Sequence, residues 1–182
     1  MSPPSNSVGA SIPTNSIQWD SSWPEWLEGA ERSHLLGFLQ TRFGIPESVF
    51  ANHHLLRRGS TVWLLSKDDR LMNLASLPVK SVGLPLLRQK KTQLKPTTAA
   101  LQLFGPHANK NIVSLALEQL RELVEKKEIK GEFGTSTGYV IVVTETIIIG
   151  CALSLPGRLI SQFPRHLFTE QTWAYLPAGK GG

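Results

Sequence analysis

The feature that most restricts the fold of this chain is its apolar run at residues 138–153, GYVIVVTETIIIGCAL. Two stretches rich in valine and isoleucine, YVIVV and IIIGCAL, are parted only by Thr144, Glu145 and Thr146. β-Branched side chains are stiff and fit a pleated surface better than a helix, so both stretches are read as strands. So short a polar connection makes them a hairpin of buried strands. The interruption also leaves each stretch well short of the ~20 apolar residues that cross a bilayer, so no membrane partner is expected.

Around this hairpin the chain is punctuated by turn residues. Residues 1–18 are rich in Ser, Pro and Asn and carry no hydrophobic periodicity, which reads as a flexible tail. Ser22 is expected to cap a turn holding Trp23 and Trp26. A helix follows from about Glu31 to Arg42, with Leu35, Leu36 and Leu39 on one side. Gly44 offers a left-handed exit and Pro46 stops continuation. After a short turn through Ser48 and Phe50, STVWLLS has the content of a strand. Residues 19–75 are therefore expected to form a small α+β module.

Residues 76–168 differ in character. VKSVGLPLLRQ suggests a short strand followed by an irregular or bulged edge at Gly83 and Pro85. A short helix is expected from Pro96 to Phe104, then a loop at 106–110 and an extended NIVSL. ALEQLRELVEKKEI is the clearest amphipathic helix, with Leu117, Leu120, Leu123 and Val124 at helical spacing and a favourable Glu122–Lys126 pair. After the hairpin, Pro156-Gly157 turns the chain into a last strand, RLISQF. Many short strands with small helices between them favour a compact mixed β barrel, giving an α+β chain. Residues 169–182 have the composition of a flexible end.

Catalytic constellations are hard to find. The histidines are His34, His53, His54, His107 and His166. Only His53 and His54 are close in sequence, and adjacent side chains diverge, which makes a poor chelate. No phosphate-loop motif is present, and GEFGTSTG leads into a strand and not out of one. Cys151, the single cysteine, has apolar neighbours and no basic residue to stabilise a thiolate, so a core role is expected. No internal disulfide is possible, and the N-terminus has no basic or apolar region of a secretory signal. These readings point to a soluble, cytoplasmic, non-enzymatic protein without cofactor or metal.

Charge supplies the positive signal. Lys and Arg number 19 against 14 acidic residues, a net charge of +5. Between Asp69 and Glu118 no acidic residue occurs, while Arg70, Lys80, Arg88, Lys90, Lys91, Lys95 and Lys110 all do. Such a span suits a polyanion, because nucleic-acid affinity comes largely from phosphate neutralisation. Within it, LKPTTAALQLFG places Lys95, Pro96, Thr97 and Thr98 at the mouth of a helix. With Pro96 as the first helical residue, the free N–H groups and the helix dipole there favour a phosphate. The competing reading is that a threonine simply caps its own helix. Exposure of Lys95 and the two threonines decides between them.

The segments RFGIPESVF with LLRRGSTVWLLSKD, VGLPLLR with LKPTTAALQLFGPHANKNIVSL, and GYVIV with IIIGCALSLPGRLISQFPRHL resemble a known family. The chain is similar to small ribosome-biogenesis proteins related to the C-terminal part of Sun/Fmu-type (Nol/Nop/Sun) RNA cytosine-5 methyltransferases. The resemblance covers about residues 30–167. It implies a pre-PUA α+β module at 19–75 and a PUA-like RNA-binding pseudo-barrel at 76–168. Ribosomal RNA or a pre-ribosomal particle is the implied partner, with transfer RNA a second choice. The methyltransferase chemistry of that wider family needs a methyl-donor domain and proline-adjacent catalytic cysteines, and these 182 residues carry neither. Only RNA binding is therefore transferred. The usual RNA face of such modules maps onto Lys95, Pro96, Thr97, Thr98 and Gln102, with Gln162 and Arg165 on the terminal strand. Arg88, Lys90, Lys91 and Lys110 join them as expected phosphate contacts. The alternative is a protein–protein adaptor, docking through Trp23 and Trp26 on a ribosomal or methyltransferase protein, or an accessory subunit of an RNA methyltransferase.

Overall fold

In the computed structural model the described residues are 19–169 together with 172 and 173. The expected tail at 1–18, and all of 170–182 except 172 and 173, lie outside the described residues. The described chain divides into two compact units, a small one of residues 19–23 and 68–80 and a large one of 24–67 and 81 onward.

The small unit is tied by local polar contacts. Asp20 accepts the Ser22 N–H and so closes the first turn, where Ser22 had been expected as the cap. The Ser22 hydroxyl instead accepts the Val79 N–H at 2.7 Å. Trp23 donates its indole N–H to the Leu77 carbonyl, and its ring meets Trp19 edge-on at 4.6 Å. A 3-10 helix at Asp69–Leu74 is capped by Asp68, which accepts the Arg70 N–H.

The large unit opens with β1 (Glu25–Leu27) and α1 (Gly29–Phe43). Leu35, Leu36, Leu39 and Phe43 recur at helical spacing and are all buried. The helix ends at Gly44, whose φ of 72° is the left-handed exit its sequence suggested. Any other residue is strained at this positive φ, and its Cβ would displace the Asn109 side chain, whose oxygen would lie 1.8 Å away. Next come β2 (His53–Arg58), β3 (Thr61–Ser66), β4 (Leu84–Lys90) and β5 (Gln93–Pro96). With β1 they form one antiparallel sheet in the order β1-β2-β3-β4-β5. This sheet draws strands from both sides of residue 75.

The chain then forms α2 (Thr98–Phe104), β6 (Ile112–Ser114), α3 (Leu117–Lys126) and β7 (Glu128–Lys130). It closes with β8 (Gly138–Thr144), β9 (Ile147–Leu155) and β10 (Arg158–Ser161). These strands make a second sheet in the order β6-β8-β9-β10-β7, antiparallel except for the β6–β8 pair. The apolar hairpin is β8–β9, as its composition required, and Pro156-Gly157 turns into β10.

One hydrophobic core joins α1, the inner face of the first sheet, α2 and one face of β8–β9, where Ile141 and Cys151 are fully buried. A second core lies on the other face of β8–β9, where Val140, Val142 and Ala152, with Leu159 of β10, meet Leu120 and Leu123 of α3. The α+β class is therefore observed, as two mostly antiparallel sheets. Neither sheet closes into a barrel among the described residues, since β1 and β5 are edges of the first and β6 and β7 edges of the second.

Several local expectations shift. The amphipathic helix stops at Lys126 because Lys127 turns left-handed and residues 128–130 find ladder partners on β10. The strand near Gly83 follows the glycine, and the predicted irregularity is a bulge where Val62 pairs with Leu87 but Trp63 pairs with Pro85. Pro96 is the last residue of β5 and not the first of a helix.

Candidate nucleic-acid interface

The β4–β5 hairpin turns through Lys91 and Thr92, with Lys91 in the left-handed region at φ 54°. Leu87 and Leu94 enter the core and Leu86 is buried at the bulge, while Arg88 and Lys90 are exposed at alternate positions beyond it. Register then assembles a polar row across the sheet, since directly opposed residues share a face. Arg58 faces Thr61, Thr61 faces Arg88, and Arg88 faces Lys95. At ~4.8 Å between strands, the row spans about 14 Å. Lys90 lies two residues beyond Arg88 on the same face. Arg88, Lys90 and Lys91 are exposed and form no ion pair among the described residues.

Lys95 links this row to the second sheet. Its Nζ donates to Gln162 Oε1 at 2.8 Å, across 67 positions of sequence. The Gln162 N–H donates in turn to the Cys151 carbonyl at 3.1 Å. On the other side of the same β9 segment, Thr98 rests against Gly150, and the Gln102 amide reaches the Ile149 carbonyl in a long 3.4 Å contact. Lys95, Thr98, Gln102 and Gln162 thus converge on residues 149–151 of β9. Gly150 permits this approach, because a Cβ there would lie 2.8 Å from Thr98 Cγ2 and 3.3 Å from Phe163.

The helix mouth itself is organised for capping. Thr97 is the N-cap of α2, and its hydroxyl accepts the Ala100 N–H at 3.1 Å while donating to the Pro85 carbonyl. Its own N–H is held by the Leu86 carbonyl. Pro96 is buried at the end of β5. The phosphate seat expected at Pro96 and Thr97 therefore gives way to an ordinary cap, with both hydroxyl functions already used. Lys110 is exposed and without an ion pair among the described residues, and its backbone N–H joins the Phe43 carbonyl at the end of α1. Arg165 begins a 3-10 turn at Arg165–Leu167, and its side chain lies outside the described residues.

Sequence reading did not place Arg58 and Thr61 in this row. Their signal was the Gly59-Ser60 pair between HHLLRR and TVWLLS, a two-residue hairpin connection. Also unanticipated was the side of α1 that carries His34, Phe38 and Arg42 beside Gln93 and Tyr139.

Burial shifts three titratable groups elsewhere in the large unit. Burial pushes the Cys151 thiol up to about 12, only partly opposed by the charges of Lys95 and Arg42. His53 meets Phe104 edge-on and His54 meets Trp26 edge-on. Burial, aided by Arg32 and Lys67, holds both imidazoles below their ordinary range. Among the described residues, no three His, Cys, Asp or Glu side chains gather to hold a metal ion, and no helix is long and apolar enough to cross a membrane. No family model matches this chain, and no curated protein matches it.

Proposed function

We propose that this chain is a non-catalytic RNA-binding protein that holds RNA backbone on the outer face of its first sheet. The single observation carrying this reading is the set of exposed cations at Arg88, Lys90 and Lys91, with Arg88 directly opposite Lys95 and none of the three paired with a carboxylate among the described residues. A solvated protein face ordinarily mixes both signs, and here four cations of the acid-free span, Arg88, Lys90, Lys91 and Lys95, lie on one hairpin. Phosphates spaced along a strand match such a row, and each neutralised phosphate releases counterions. The link from Lys95 to Gln162, and the approach of α2 to β9, support a PUA-like arrangement in which the small helix and the terminal strand border one RNA face. Ribosomal RNA, or a pre-ribosomal particle, is the proposed setting, in the cytoplasm.

The test is affinity for single-stranded and structured ribosomal RNA fragments across a salt series. Wild type is expected to show a steep linear fall of log affinity with log salt. Arg88→Ala and Lys90→Ala should each lower that slope by about one phosphate equivalent. Circular dichroism and thermal unfolding should leave the fold of both variants unchanged. Affinity that ignores salt, or slopes that ignore both substitutions, would overturn the proposal.

A further inference from the structure

A groove of about 490 Å³ opens beside the β4–β5 turn, within the size range of small-molecule sites. Its walls are His34 and Phe38 of α1, Gln93 after the turn, and Tyr139, Leu153 and Leu155 of the β8–β9 hairpin. Tyr139 and Leu153 are directly opposed in the ladder and so present one continuous apolar strip. Phe38 and Tyr139 are half-buried, each with one side packed on the core.

The polar inventory of the groove is informative. Arg42 also borders it, but its guanidinium is committed to the Tyr139, Thr137 and Ser136 carbonyls and to the Ser136 hydroxyl. The side chains of His34 and Gln93 and the Tyr139 hydroxyl make no hydrogen bond among the described residues. Burial pushes the Tyr139 phenol above its ordinary range. No carboxylate lines the groove. Its wall is therefore largely apolar and free of negative charge, with uncommitted donors and acceptors beside the bound Arg42 fork. Two exposed cations stand next to it in the chain: Lys90 is directly opposite the lining residue Gln93 in the ladder, and Lys91 precedes the lining residue Thr92.

A ligand that complements this surface has a flat apolar part, hydrogen-bonding edges and an anionic flank. We propose that the groove receives one unstacked nucleobase of a single-stranded RNA, with the flanking phosphates on Lys90 and Lys91. The aromatic rings of Phe38 and Tyr139 supply the apolar wall, and the Gln93 amide reads a base edge. This inference rests on the RNA-binding reading above and gives it a preference for unpaired strands.

The experiment compares three probes against the full chain: a single-stranded RNA octamer, a duplex of the same length, and an octamer of abasic ribose phosphates. The single strand is expected to bind about tenfold or more tightly than either other probe, the effect of one stacked base. Gln93→Ala and Tyr139→Phe should each shrink this advantage several-fold while leaving the salt slope intact. Lys90→Ala should lower the slope for all three probes. Equal affinity for the intact and abasic octamers, with a normal salt slope, would overturn the groove inference and leave RNA binding standing. Absence of binding by every probe at low salt would overturn both. NMR shifts of Phe38 and Tyr139 produced by an amphipathic peptide, and not by the octamer, would also overturn the base assignment.

Discussion

Gly150 and Cys151 stand side by side in β9 under different constraints. Gly150 has φ 152°, and an added Cβ would lie 2.8 and 2.9 Å from the two ends of the Thr98 side chain. Gly150→Ala is therefore expected to lose about 1–3 kcal/mol by overpacking, measured by denaturant unfolding. Since the clash is with Thr98, adding Thr98→Ala should recover part of the loss, a coupling that a double-mutant cycle reads directly. Full additivity would show that backbone strain alone sets the cost. Cys151 is fully buried, and its thiol is pushed up to about 12. In the unfolded chain a thiol ionises near 8.5. Between those values the unfolded state binds fewer protons, so stability is intact below pH ~8.5 and falls as pH rises toward 12. Cys151→Ala should remove that share of the alkaline slope. Thiol reagents at pH 8 should label the native protein only as fast as it opens, and rapid native labelling would contradict the burial.

At the scale of elements, the C-terminal end of α1 is fastened by Arg42 to the loop that leads into β8. Its Nε donates to the Tyr139 carbonyl at 2.7 Å, and its Nη atoms donate to the Ser136 hydroxyl at 2.6 Å and the Ser136 and Thr137 carbonyls at 2.8 and 3.1 Å. Asn111 completes the joint by donating to the Arg42 carbonyl and accepting from Ser136. Arg42→Ala should cost about 2–3 kcal/mol, and Arg42→Lys should recover little, because an ammonium cannot reproduce the planar fork. Equal stability of wild type and Arg42→Lys in chemical unfolding would refute that role. None of this joint was legible in the sequence, because its partners are separated by about a hundred positions and it uses backbone carbonyls. What was legible had a strong local cause. The Leu35, Leu36 and Leu39 spacing located α1, Gly44 its exit, and the β-branched runs the β8–β9 hairpin. The strands β1, β2, β5 and β7 were missed because EWL, HHLLRR, QLKP and EIK owe their extension to ladder partners and not to composition, and Trp26 of β1 had been expected in a turn. The same holds for the site. Arg88, Lys90, Lys91 and Lys95 could be listed from charge alone, but their common face depends on register. Pro96 misled because proline suits a helix start and an edge strand equally well, and pairing with Leu87 decided for the strand.

For the large unit as a whole, the two hydrophobic cores meet on opposite faces of one hairpin. Ile141 and Cys151 belong to the core shared with the first sheet, while Val140, Val142 and Ala152 belong to the core under α3. Strands covered on both faces cannot open without exposing both cores, so their opening approaches global unfolding. By contrast, β1, β6 and β7 are three-residue edge strands with one neighbour each. Native-state hydrogen exchange should therefore find the slowest amides among the ladder-bonded positions of β8 and β9, with free energies matching that of global unfolding. The edge strands should exchange through smaller openings of lower cost. The candidate RNA face borders this hairpin through Gln162, which bonds the Cys151 carbonyl, and through α2, while Lys95 lies on the edge strand β5 and Lys90 and Lys91 flank the β4–β5 turn. RNA binding should accordingly raise protection around the β4–β5 turn and leave β8 and β9 unchanged. Slowest exchange in β2 and β3 instead would place the mechanical centre of the unit in the first sheet and remove this account of how the face is held.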